Sequence, residues 1–153
     1  MIKEKKVYFK TYKIKSDIKI ENTYGKFLDS FTLSQIFRQI YKDLDIDLTV
    51  SESFIVLSLD TNHNIKGILL LSQGNINSIL VDFRLLGKFL FDTLGTAFVV
   101  CHNHPSGNIK FSDSDIELCK KLKNSFSQFD IKLLDSFVLT EFNYNSMLDC
   151  NLF

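Results

Sequence analysis

Apolar residues recur along this chain at two different periods, and the points where the period changes mark out its elements. From Ser30 onward, Leu33, Ile36, Phe37, Ile40, Tyr41 and Leu44 fall at the spacing of an amphipathic helix that ends in the acidic stretch Asp43 to Asp47. Glu52 to Asp60, Glu-Ser-Phe-Ile-Val-Leu-Ser-Leu-Asp, is a nearly continuous apolar run of strand length, which suits a central strand covered on both faces. The turn Thr61-Asn62-His63-Asn64 leads into a second run, Ile65 to Ser72, closed by Gln73-Gly74, so the pair predicts an antiparallel hairpin with His63 at its tip. Asp82 to Leu94 aligns Phe83, Leu86, Leu90, Phe91 and Leu94 on one stripe and predicts a second helix ending near Gly95. A strand over Thr96 to His104 follows. Ser112 to Phe129 then carries Ile116, Cys119, Leu122 and Phe126 at helical spacing, with Lys120, Lys121 and Lys123 on the other side. Ile131 to Thr140 predicts a further strand, and Phe142 to Met147 a short last one or an extended tail.

Helix, hairpin, helix, strand, helix, strand defines an α+β domain over residues 30–150, a mixed central sheet with flanking helices. Residues 1–29 stand apart. Lys6 to Ile20 alternates weakly, as a strand or hairpin lying on the domain would, and Glu21 to Asp29 reads as a connection around Gly25. No internal repeat, low-complexity tract or interdomain linker interrupts the chain.

Composition narrows the function classes. The 153 residues are 45% apolar with fifteen Phe, enough for one core, and eighteen basic side chains cancel eighteen acidic ones. No global field therefore draws the chain to nucleic acid or to an acidic membrane. The charge is uneven, because seven lysines between Lys3 and Lys19 face only Glu4 and Asp17. That arm is a solvated tail or a nucleic-acid contact. Three cysteines, Cys101, Cys119 and Cys150, form no disulfide framework, and the chain carries no long apolar span, so a reducing cytoplasm is the expected compartment.

The chemistry is concentrated in Cys101-His102-Asn103-His104-Pro105-Ser106-Gly107 and its continuation to Asp115. Two histidines one residue apart on a strand share a face and can converge on one ion, while Cys101 is expected to point the other way as a small buried hydrophobe. Asp115, in the first turn of the next helix, can supply an oxygen as third ligand. Two imidazoles, one carboxylate and an open position form the catalytic rather than the structural zinc pattern. Ser112-x-x-Asp115 reads equally as a helix capping box, and a carboxylate on a metal is expected to satisfy the cap amide only in part. Pro105-Ser106-Gly107 is turn material that keeps backbone amides near the open position. His63 is expected to be a turn residue and not a ligand.

His-x-His-Pro, seven residues and then Ser-x-x-Asp resembles the JAMM (MPN-plus) metalloprotease motif, and His-Asn-His-Pro-Ser-Gly resembles its bacterial RadC-like branch. The likeness runs over roughly residues 30–148, through Glu52 to Asp60, Ser72-Gln73-Gly74 and Leu133-Leu134-Asp135. It implies a JAMM/MPN, cytidine-deaminase-like architecture with zinc bound by His102, His104 and Asp115. It also implies Glu52 as the acid/base acting on water and Ser112 as a hydrogen-bond partner near the oxyanion. Two positions depart from the branch: Phe111 precedes Ser112 where a proline is usual, and Ser136 follows Asp135 where a histidine is often seen. Neither departure touches a proposed ligand or the base. His-Asn-His is not the HNH nuclease signature, whose three residues are dispersed over a ββα unit.

The expected function is thus a zinc-dependent hydrolase acting on a peptide, isopeptide or related amide bond. A DNA-associated protein or nuclease using the lysine-rich arm is the first alternative. A non-catalytic interaction module with a structural metal is the second.

Overall fold

A computed structural model describes residues 11–12, 29–75 and 81–153. In chain order the elements are β1 (Thr11–Tyr12), α1 (Ser30–Asp43), β2 (Glu52–Leu59), β3 (Ile65–Asn75), α2 (Phe83–Asp92), β4 (Ala97–Asn103), α3 (Asp113–Ser127), β5 (Lys132–Leu139) and β6 (Tyr144–Ser146). They build the α+β fold read from the periodicity, with a mixed sheet in the order β1-β3-β2-β4-β5-β6. Among the described strands only the β4–β5 pair is parallel, and α3 is the crossover that joins its two strands. Of the basic arm, only Thr11–Tyr12 is described, paired antiparallel to β3 at Leu69 and Ile68. The remaining positions of the expected strand or hairpin lie outside the described residues, as does the loop 76–80.

Each helix starts where a short polar side chain can satisfy the first free amides. Asp29 accepts from the Thr32 N–H at 2.7 Å, and Asp82 accepts from the Arg84 and Leu85 amides at 2.9 and 3.3 Å. The apolar stripes then decide which side of the sheet each helix covers. Leu33, Ile36, Phe37, Ile40 and Tyr41 of α1 pack with Ile55, Leu57, Val99, Cys101 and Phe137. Helices α2 and α3 bring Leu86, Phe89, Leu90, Cys119, Leu122 and Phe126 against Phe54, Val56, Phe98 and Val100 on the other face. Because β2 and β4 are covered on both faces, their sequences lack polar alternation.

Phe98 lies at the centre of the second cluster, fully buried and edge-on to Phe126 with ring centroids 5.5 Å apart. Phe98→Ala is expected to cost about 3–5 kcal/mol in urea unfolding, from the lost burial and the cavity it leaves.

Strand β3 runs beyond the expected end at Ser72, through Gln73 and Gly74 to Asn75. Its polar end is held by pairing with Glu52 and Ser53 across register shifts, with Gly74 at a φ of 94° that other residues reach only with strain. No helix among the described residues is long and apolar enough to cross a membrane.

Candidate metal centre

Strand β4 ends with its side chains sorted by parity. Cys101 is buried on the α1 side, where burial pushes its thiol well above the usual range and keeps it a neutral packing group. His102 and His104 emerge on the α2/α3 side, and the His102 ring stacks on Phe54 at 6.2 Å with an interplanar angle of 11°. Past the turn of residues 104–107, closed by the Gly107 N–H donating to the His104 carbonyl at 3.1 Å, the chain enters α3 at Ser112. One turn into that helix, Asp115 faces both imidazoles.

The three side chains converge. His102 Nε2 lies 3.0 Å from His104 Nε2 and 3.2 Å from Asp115 Oδ1, and His104 Nε2 lies 3.5 Å from Asp115 Oδ2. Donors bound at 2.0–2.1 Å around a tetrahedral ion sit roughly 3.3 Å apart, so these separations fit a group that can hold one metal ion. Among the described residues this is the group of at least three His, Cys, Asp or Glu side chains close enough to do so.

The protonation pattern fits as well. His104 Nδ1 is 2.7 Å from the Asn108 carbonyl, which only accepts, so Nδ1 carries a proton and, in the neutral imidazole, Nε2 offers its lone pair to the site. The His102 Nδ1 is buried and has no hydrogen-bond partner among the described residues. The ring is therefore oriented by stacking on Phe54 and by Asp115 at Nε2 rather than by an acceptor at Nδ1.

Burial alone would raise the Asp115 carboxyl, but hydrogen bonds from His102 and His104, the His102 charge and the Ser112 amide hold it far below the usual carboxylate range. Burial would likewise lower His104, and is outweighed by Asp115, the Asn108 carbonyl and the Glu52 charge, which leave it raised.

Ser112 and Asp115 form a complete capping box, where the sequence reading expects a metal-facing carboxylate to satisfy the cap amide only in part. The Ser112 N–H donates to Asp115 Oδ2 at 2.7 Å and the Asp115 N–H donates to Ser112 Oγ at 3.1 Å, while the same carboxylate faces both imidazoles. Two oxygens with several lone pairs serve both tasks, and the cap orients the carboxylate instead of withdrawing it.

Glu52 opens β2. The β2–β4 ladder pairs Phe54 with His102, so by alternation Glu52 belongs to the imidazole face, two residues beyond the last pair and level with His104. Ser136, where the RadC-like branch often has histidine, pairs with Val100 in mid-strand. Ser136 lies outside the donor group, and its neighbour Asp135 accepts from Ser146 Oγ and the Leu148 amide, tying down the C-terminal segment. His63 caps the β2–β3 hairpin at a φ of 61°, apart from the donor group.

A mixed sheet sandwiched by helices, with two strand histidines and a helix-cap aspartate at one strand end, defines a JAB/MPN-like domain with a candidate metal site. Residues 29–152 match the family model described as "RadC-like JAB domain", and the chain belongs to that family. It is similar to a UPF0758 protein of Flavobacterium johnsoniae, 36% identical over 102 residues, covering 67% of this chain and 44% of that protein. A UPF0758 protein of Shewanella baltica is 38% identical over 88 residues, 58% of this chain and 39% of the relative. One of Shewanella denitrificans is 33% identical over 98 residues, 64% and 44% of the two chains. The match thus spans less than half the length of these curated relatives, whose names state no activity.

Proposed function

We propose that this protein is a zinc-dependent hydrolase that cleaves a peptide, isopeptide or related amide bond. The observation that carries the reading is the convergence of His102, His104 and Asp115 within 3.0–3.5 Å at the end of β4, beside the strand end that bears Glu52. Zinc held by these three would polarise a carbonyl and make the proton of an adjacent water easier to remove near neutral pH. Glu52 takes up that proton and returns it to the leaving amine. The Asn108 carbonyl and the α3 cap keep the His104 ring and the Asp115 carboxylate in their orientations. Ser112 Oγ accepts the Asp115 amide with a lone pair, which leaves its O–H to donate to the oxygen that gains charge.

Purified protein is expected to hold one zinc per chain by mass spectrometry. The zinc-loaded form is expected to release new ends from a library of linear and Lys-branched peptides. Failure to take up zinc, or a loaded protein that cuts no member of the library, ends this reading.

Ser112 separates stability from rate. Ser112→Ala is expected to lower stability by about 1 kcal/mol through loss of the cap and turnover by about 10²–10³-fold through loss of the donor. Ser112→Asn, which keeps an acceptor for the Asp115 amide, restores the melting temperature without restoring the rate.

A further inference from the structure

The residue between the two histidines has no part in the chemistry above. Asn103 is fully buried, and by alternation its side chain lies on the α1 side of the sheet, opposite the imidazoles. Its carboxamide is used almost completely. Oδ1 accepts from the Ser53 N–H at 2.8 Å, and Nδ2 donates to the Ser51 carbonyl at 2.8 Å and to the Leu48 carbonyl at 2.9 Å. Ser51 and Ser53 flank Glu52.

We propose that Asn103 is a positioning residue for Glu52, gripping the backbone on both sides of it so that the carboxylate meets the metal-binding face at a fixed height. This rests on the reading of Glu52 as the proton carrier.

The sheet itself leaves that task open. The β2–β4 ladder ends at Phe54–His102, two residues before Glu52 would pair with His104, and the His104 amide has turned to the Leu139 carbonyl instead. On the other side, the β2–β3 register slips between Glu52 and Ser53. Strand pairing therefore holds Glu52 on the β3 flank alone, opposite Asn75 and next to a register shift, and on the β4 flank the three Asn103 bonds supply what the ladder lacks. Tyr41 adds one more, its hydroxyl donating to the Ser53 carbonyl at 3.0 Å.

The grip ties two distant parts of the site to one reference. The residue that holds Glu52 is covalently placed between His102 and His104, so a shift of β4 carries the imidazoles and the glutamate together. The task also explains the residue type, since two donors and one acceptor on a short planar group are needed. Aspartate lacks the donors and serine lacks the reach.

The test compares wild type, Asn103→Ala, Glu52→Gln and the double variant, all zinc-loaded, on whichever library peptide the wild type cuts. Asn103→Ala is expected to keep one zinc per chain and to speed hydrogen exchange at the Ser53 amide at least about tenfold. It is also expected to lower kcat about tenfold or more, with KM little changed, and to lower the residual rate of the Glu52→Gln protein less than about twofold, because the two residues act through one group. Zinc loss in Asn103→Ala, an unchanged Ser53 amide, or an equal rate loss in both backgrounds overturns the proposal while the hydrolase reading stands. A wild-type protein that binds zinc but cuts nothing overturns both. If Asn103→Ala fails to fold, Asn103→Asp, which keeps the acceptor and loses both donors, is put through the same comparison, and a fast-exchanging Ser53 amide in the wild type also counts against the grip.

Discussion

Glu52→Gln is expected to retain zinc and the fold while turnover falls by about 10²–10⁴-fold, the range over which a positioned proton carrier contributes. The amide has the shape of the carboxylate and can still hydrogen-bond, but it cannot accept a proton at neutral pH. Glu52 is half-buried at a strand end, so the exchange should leave the urea midpoint nearly unmoved, within about 0.5 kcal/mol. Zinc content, the unfolding midpoint and kcat measured on the same preparation check the three parts of this expectation. A variant that cleaves as fast as the wild type would favour an interaction module in which the metal is only structural.

Removing the metal site gives the second large effect. His102→Ala is expected to abolish zinc uptake and with it all hydrolysis, since two remaining donors are too few for the tetrahedral site. The stability consequence can be read without a substrate. Zinc at about a thousand times its dissociation constant stabilises the folded state by about 4 kcal/mol. For a domain of this size, each kcal/mol moves the melting temperature about 2–4 °C. Chelation should therefore lower the wild-type melting temperature by roughly ten degrees and leave that of His102→Ala unchanged. Equal melting curves for the wild-type protein with and without chelator would speak against a bound ion.

The helices and the buried strands were legible because each must hide an apolar stripe, and the stripe's period shows in the residue order. The donor group was legible because two of its members lie on one strand face and the third falls in the first turn of the next helix. Three features had no such signal. The end of β3 is made of Gln73, Gly74 and Asn75, polar residues that form strand only because β2 lies beside them. The dual service of Asp115 depends on which oxygen faces which neighbour, a matter of ångströms that the Ser-x-x-Asp spacing does not carry. Asn103 binds backbone atoms about fifty residues earlier in the chain, and backbone partners leave no trace in side-chain identity.

The placement of Asp115 on the crossover helix between the two parallel strands has a consequence for how the protein matures. All three donors fall within a span of fourteen residues, so they can gather once β4 and α3 have docked, at a small loop-closure cost. Glu52 arrives from a hairpin far upstream, after the long-range β2–β4 seam has closed. A refolding chain would accordingly capture its cation early and acquire activity late, and stopped-flow traces of metal uptake and of peptide cleavage should be separated in time.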